Sequence, residues 1–341
     1  MIPRPIANPP NPWSSNEVEY LEGAPEAKLE IFEDTTRSIL SENDSPDIGF
    51  RWSVNPYRGC FHGCAYCYAR PTHEYLSFGA GTDFERKILV KLRAADLLRE
   101  AFDQPKWRGE FVMFSGVTDC YQPAEASFRL TRSCLEVCAE YRNPLGIVTK
   151  SPLVERDIDV LQSLRAVTDV HVTVSIPFWD AERARAVEPF VATPQRRVHT
   201  IEKLAKAGIS VSVNIAPMIP GLSDEDIPQI LEAAAGAGAK SAAMIFVRLP
   251  GSVKVVFEER LRANLPLRAE RILSRVREAR GGKLNDSRFG MRQRGEGPYF
   301  ESVQALFENT ARRLGMNTDH DPADRNTFVR PPKKGTQLSL F

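Results

Sequence analysis

The order of apolar runs along the chain constrains its fold more than any single residue does. Six short segments rich in β-branched and aromatic residues are RWSV (51–54), FVMF (111–114), GIVT (146–149), HVTVSI (171–176), VSVNIA (211–216) and AMIFVRL (243–249). They alternate with stretches of helical periodicity at about 84–102, 124–141, 153–165, 195–207, 224–236 and 258–279. Strand and helix in alternation build a parallel sheet, because a parallel neighbour is reached only through a crossover. Segments such as HVTVSI agree, since near-continuous apolar content suits strands covered on both faces. The expected architecture is α/β: a partial (β/α)6 barrel over residues 51–280, after an irregular N-terminal arm (1–50) and before a C-terminal extension. In such folds ligands bind past the C-terminal ends of the strands, so functional residues are sought there.

Directly after the first strand, NPYRGCFHGCAYCYAR sets Cys60, Cys64 and Cys67 within eight residues. Asn55 and Pro56 close that strand, because proline has no N–H for a central ladder. Six cysteines in 341 residues do not make a disulfide scaffold, and three so close together ask for a metal. Thiolates are the usual protein ligands of a [4Fe–4S] cubane. Three of them satisfy three irons and leave the fourth free to be chelated by the amino and carboxylate groups of a methionine-type ligand. Gly59 and Gly63 let the loop turn tightly. The alternative is a zinc site with His62 or His73 as fourth ligand. Cys134 and Cys138 share one helical face with Phe128, Thr131, Leu135 and Tyr141, which is core spacing; an auxiliary cluster with Cys120 is the alternative.

Hydrophobic residues make up 42% of the chain, enough for a large core. Its apolar runs are short and interrupted by charge, so no membrane span is expected. The proline-rich opening MIPRPIANPPNPW lacks the order of a signal peptide, and the expected location is cytoplasmic. Net charge is only +1, but residues 260–334 hold 17 Lys and Arg against 9 Asp and Glu. A basic C-terminal third suits a phosphate backbone, or an ordinary solvated surface. Within it, residues 281–315 read as a basic loop and short helix packing on the barrel. Arg288, Arg292, Arg294, Arg312 and Arg313 are candidate phosphate contacts there, and Phe289 and Tyr299 candidate stacking partners for a base. A barrel lid with surface arginines is the other reading. Residues 316–341 form a polar tail ending in QLSLF.

Tyr66 completes the pattern CxxxCxΦC, with Φ aromatic, and on this motif the chain resembles the radical S-adenosylmethionine (radical SAM) superfamily. The blocks NPYRGCFHGCAYCYARPTHEY, SGVTDCYQPAE, VTKSPLVERD and APMIPGLSDE further resemble the spore photoproduct lyase-like branch, also described as DNA repair photolyase-like. The resemblance covers roughly residues 50–250. It implies a barrel of the radical SAM type, a [4Fe–4S] cluster on Cys60, Cys64 and Cys67, S-adenosyl-L-methionine as cofactor, and a reduced flavodoxin or ferredoxin-like electron donor. One electron passed to the sulfonium would give methionine and a 5′-deoxyadenosyl radical, which takes a hydrogen from the substrate.

Several residues acquire expected roles from this resemblance. Ser115, Gly116, Thr118 and Asp119 follow the second strand, where the superfamily holds the methionine amino end. Asp119 as a plain helix cap is the alternative. Lys150 would pair with the cofactor carboxylate beside Ser151, Ser175 and Asn214 would reach ribose hydroxyls, and Tyr66 would face the adenine. Arg183 or Arg196 would meet the carboxylate or a substrate phosphate. The hydrogen-donating cysteine of the lyases precedes the Thr–Asp pair, and Val117 stands there in this chain. Cys120 follows the pair instead; it, or Tyr121, would quench the product radical. The terminal Gln337, Leu338, Leu340 and Phe341 resemble the peptide that docks repair and replication proteins on the bacterial sliding clamp. The function expected is hydrogen abstraction from DNA during repair of a base lesion. Modification of RNA or protein, and a metal-stabilised clamp-binding adaptor without catalysis, are the alternatives.

Overall fold

The structure is a computed structural model and describes residues 29–318 and 326–332. Ten strands follow in chain order: β1 (Glu30–Glu33), β2 (Leu40–Glu42), β3 (Trp52–Val54), β4 (Tyr57–Arg58), β5 (Lys87–Val90), β6 (Val112–Phe114), β7 (Leu145–Thr149), β8 (Val170–Ser175), β9 (Ser210–Met218) and β10 (Ser241–Phe246). Strands β3, β6, β7, β8, β9 and β10 lie side by side in that order, all parallel. These are the six segments read from the sequence. β2 adds an antiparallel edge with Leu40 opposite Val54, which makes an open, mixed sheet of seven. The central strands are apolar because both faces are covered: Val54, Phe114, Ile147, Val172, Val174, Val213 and Ile215 are all buried.

The helices return the chain to the start of each strand. Pro194–Lys206 shows why they form where they do. Thr193 accepts the N–H of Arg196 through its hydroxyl, Pro194 supplies the first turn, and Ile201 and Leu204 face the core. Helix Ala181–Val187, capped in the same way by Asp180, has no counterpart in the periodicity.

Local departures from the expected pattern have physical causes. The N-terminal arm is not wholly irregular, because Glu30–Glu33 and Leu40–Glu42 complete sheet edges. The stretch 84–102 is not one helix. Ile88, Leu89 and Val90 form β5 between β1 and β4, and the helix begins only at Ala94. The stretch 258–279 divides into helices Val253–Asn264 and Ala269–Glu278, with Pro266 between them. β10 ends at Phe246 instead of running to residue 249. The Phe246 N–H turns to the carbonyl of Gln293, and that of Val247 to Met218. Arg248 therefore lies past the strand.

Between β4 and β5 runs the cysteine loop, and a buried charge network ties it down. Arg70 is fully buried and donates to the carbonyls of Gly63, Cys64, Ala80 and Gly81, and to Glu85 at 2.5 Å. Arg260, on helix Val253–Asn264, donates to Glu85 at 2.6 Å and to the Gly63 carbonyl at 2.9 Å. Among the described residues no helix is long and apolar enough to cross a membrane. The tail residues Gln337, Leu338, Leu340 and Phe341 lie outside the described residues.

Glu85→Gln would leave two buried guanidiniums without their counter-charge. Removing one partner of such a network costs about 3–5 kcal/mol, and urea unfolding of the variant should show a loss of that size.

Candidate functional site

The C-terminal ends of β6, β7, β8, β9 and β10, together with the cysteine loop, surround a cavity of about 320 Å³. Its wall includes all three clustered cysteines, with Tyr66, Ser115, Gly116, Thr118, Asp119, Lys150, Ser175 and Asn214. The loop that brings the thiols there depends on its glycines. Gly59 has φ +76°, and a Cβ on it would come within 2.8 Å of the His73 ring and 2.9 Å of the Phe84 carbonyl. Thr118 and Gln122 both donate to the Gly59 carbonyl, at 2.6 and 2.9 Å, and Gln122 accepts the Phe61 N–H at 3.0 Å. Gln122 thus holds the loop from the far side; no motif marks it in the sequence.

Asp119 is the polar hinge of the cavity wall. Its carboxylate accepts from the Thr149 hydroxyl (2.7 Å), the Lys150 N–H (2.8 Å) and the Tyr121 N–H (2.9 Å), and faces His62 Nδ1 at 3.4 Å. Burial alone would raise its pKa, but His62 and these donors hold it below the usual carboxylate value. His62 responds in kind: burial opposes its charge, yet Cys60 and Asp119 push its pKa up to about 10. His73, the other histidine considered for zinc, donates from Nε2 to the Lys87 carbonyl at 2.8 Å, and burial lowers its pKa to about 4.

Lys150 reaches the Ala216 carbonyl at 3.4 Å and stands 5.8 Å from the Tyr66 ring centroid. The Tyr66 hydroxyl donates to Glu188, which also pairs with Arg197 at 2.7 Å, so this ring is fixed from behind. Ser115 has φ +105°, a strained conformation for serine that costs on the order of 1–3 kcal/mol. Its hydroxyl donates to the Val148 carbonyl at 2.6 Å and accepts the Cys120 N–H at 3.4 Å.

These residues fit the expected groups. All three cysteines are free. Among the described residues no three His, Cys, Asp or Glu side chains form a set that could hold a single metal ion. The three thiols share the wall of the chamber. Burial pushes the Cys67 thiol up to about 11, so loading iron must displace its proton. Asn214 Oδ1 is buried, lines the cavity and has no hydrogen-bond partner. Such an atom costs about 1–3 kcal/mol until a ligand hydroxyl or amine satisfies it.

Other sequence candidates stand elsewhere. Cys120 and Tyr121 are wholly buried and do not line the cavity; the Tyr121 hydroxyl donates to Asp157 at 3.2 Å. Ser151 caps the turn Pro152–Asp157 by accepting the Leu153 N–H. Arg183 pairs with Glu225 and Asp226, and Arg196 with Glu155. In the basic loop, Arg288 pairs with Asp286 and Glu296, and Arg292 with Asp47. Phe289 is 59% exposed and Arg294 is exposed, while the Tyr299 hydroxyl donates to Asp224 and accepts from Arg275 at 3.0 Å. Arg312 donates to Asn309, and Arg313 pairs with Glu232. Among the cavity residues that the sequence does not mark are Tyr68 and Arg248. Tyr68 follows Cys67 directly, which could have marked it; Arg248 was hidden inside an apolar run taken for strand.

An open parallel sheet with a three-cysteine loop after its first parallel strand defines the class. The Radical SAM superfamily model matches residues 54–234, more than half of the chain, and the chain belongs to that superfamily. An uncharacterised protein of Mycobacterium tuberculosis is 40% identical over 209 residues, 61% of this chain and 62% of its own length. The match thus spans less than two thirds of that relative. An uncharacterised protein of Methanocaldococcus jannaschii is 29% identical over 198 residues, 58% of this chain and 71% of its own. Among solved structures, spore photoproduct lyase complexed with dinucleoside spore photoproduct superposes with a TM-score of 0.56 at 17% identity. That match covers 87% of this chain and 84% of the lyase, and shows a shared fold.

Replacing Cys60, Cys64 or Cys67 by Ala should abolish bound iron and labile sulfide after anaerobic assembly. The double variant C134A/C138A should retain both, with lower stability as its only defect, read by metal analysis and thermal unfolding.

Proposed function

We propose that this chain is a radical SAM enzyme that takes a hydrogen atom from a nucleic acid, with a damaged base in DNA as substrate. The observation that carries this reading is one cavity wall shared by three free thiols and by Asp119, Lys150 and the unsatisfied Asn214. When bound on Cys60, Cys64 and Cys67, a [4Fe–4S] cluster would supply one electron to S-adenosylmethionine, giving methionine and the 5′-deoxyadenosyl radical that abstracts hydrogen. The chain's own residues bind and shield. Lys150 offers an ammonium to the cofactor carboxylate, and Asp119 fixes the Lys150 backbone at 2.8 Å so that the side chain starts from a set position. Asn214 Oδ1 accepts from a cofactor hydroxyl or amine, and Ser175 lies opposite it in register on β8. Tyr66, braced by Glu188, walls the chamber against water.

The DNA assignment is supported by the sequence blocks resembling the lyase-like branch and by the fold shared with a lyase whose structure holds a dinucleoside photoproduct. A base in a duplex must leave the stack to enter a chamber at the sheet's C-terminal edge, and damage lowers that cost.

The experiment uses reconstituted, reduced protein with deuterated DNA, UV-irradiated or intact, and with deuterated RNA and protein extracts. We expect 5′-deoxyadenosine to form and to carry deuterium from irradiated DNA. Deuterium from RNA or protein alone would reject the DNA assignment. Absence of 5′-deoxyadenosine would reject the enzymatic reading.

A further inference from the structure

Besides His62, the basic side chains lining the cavity are Lys150 and Arg248, and they differ in their surroundings. Lys150 reaches the Ala216 carbonyl at 3.4 Å and stands 5.8 Å from the ring centroid of Tyr66, within the cysteine loop. Arg248 acts on Tyr68, with its guanidinium carbon 5.6 Å from that ring's centroid. Among the described residues Arg248 forms no ion pair, and its Nε is buried without any hydrogen-bond partner. The nearest carboxylate it feels, Asp47, is engaged by Arg292 through a 2.7 Å bond. Arg280 adds a further positive charge, donating to the carbonyls of Val247, Met291 and Arg292. Burial is the main influence lowering the Arg248 pKa and Arg292 adds to it, while Tyr68 and Asp47 oppose both. A half-buried guanidinium that forms no ion pair among the described residues and whose Nε has no partner suits an anion, and a phosphate or carboxylate matches its fork.

We propose that Arg248 binds a phosphodiester oxygen of the substrate strand, and so selects a nucleotide for the chamber. This rests on the reading of the cavity as the site of hydrogen abstraction. The cofactor's own carboxylate belongs at the cysteine side, where Lys150 stands. That leaves Arg248 for a second anion. Beside it Tyr68, half exposed, together with Phe50 and Ile48, gives the wall an apolar and aromatic character that suits a flat base next to its phosphate. The signal was invisible to charge counting, since Arg248 lies outside the basic segment 260–334.

The test measures binding of thymidylyl-thymidine and of its uncharged methylphosphonate analogue to the cluster-loaded full chain with S-adenosylmethionine present. The wild-type protein should prefer the charged dinucleotide at least tenfold. Arg248→Met should lose that preference, and Arg248→Lys should keep part of it, while cofactor affinity moves less than twofold in both. An undiminished preference in Arg248→Met overturns the assignment, as does failure of the wild type to bind either dinucleotide. Weakened cofactor binding in Arg248→Met would also overturn it, by giving Arg248 to the cofactor instead. Cofactor cleavage by the wild type is scored separately. Its absence defeats the proposed function, whereas intact cleavage with dinucleotide binding indifferent to Arg248 defeats only this inference.

Discussion

The Glu85 carboxylate lies between the guanidiniums of Arg70 and Arg260, and these two arginines take up the carbonyls of Gly63, Cys64, Ala80 and Gly81. A loop with three cysteines and two left-handed glycines has little shape of its own. Its backbone groups are buried, and each needs a partner. The network provides partners and also fixes where the thiols stand. Arg260 is 175 residues from Glu85 in sequence, on the helix that follows the last parallel strand. The cysteine loop is therefore not finished when its own segment folds. Its contacts are complete only once that helix is docked, so the position of the thiols depends on the assembled sheet.

The same logic places the rest of the chamber. Parallel strands deliver their C-terminal ends to one side, and the ends of β6 to β10 each contribute at least one polar group. Ser115 and Asp119 follow β6, Lys150 follows β7, Ser175 ends β8, Asn214 lies on β9 and Arg248 follows β10. Only Ser115 and Asp119 share a strand end. Their spacing across the cavity is set by the ladder between strands, which is rigid, and less by loop conformation, which is not. The strained backbone of Ser115 fits this picture. Its cost is tolerated because the serine hydroxyl and the Asn55 side chain, which accepts the Val117 N–H at 3.1 Å, hold the turn from two sides.

Much of this was legible in the chain because it follows from local rules. Six apolar segments separated by helical periods dictate a parallel order, and three cysteines in eight residues mark the loop whose thiols line the cavity. Asp119, Lys150 and Asn214 were reachable because they sit at or just past strand ends. What stayed hidden depended on tertiary partners. Lys87–Val90 sits in a stretch that reads as helix, and becomes a strand only because β1 and β4 flank it. Gln122 has no motif; its role exists only once the Gly59 carbonyl is beside it. Cys120 and Tyr121 neighbour the Thr–Asp pair in sequence, yet the turn after β6 directs both into the core.

The arginines make the sharpest case. From sequence, Arg183, Arg196, Arg288 and Arg292 are the obvious anion ligands, being polar residues in polar surroundings. Each is matched by a carboxylate in the fold, and a paired arginine must give up that partner before it can serve another. For the exposed Arg288 such a pair is worth no more than about 1 kcal/mol, whereas Arg183, Arg196 and Arg292 sit in partly buried pairs and would have to give up more. Arg248 is in the opposite position. Its partial desolvation is met on folding by the surrounding packing, and among the described residues no carboxylate pairs with it directly. An anion arriving there removes a standing penalty instead of trading one contact for another. Affinity of this kind depends on what the fold has left unpaired, which the count of basic residues in a sequence does not record.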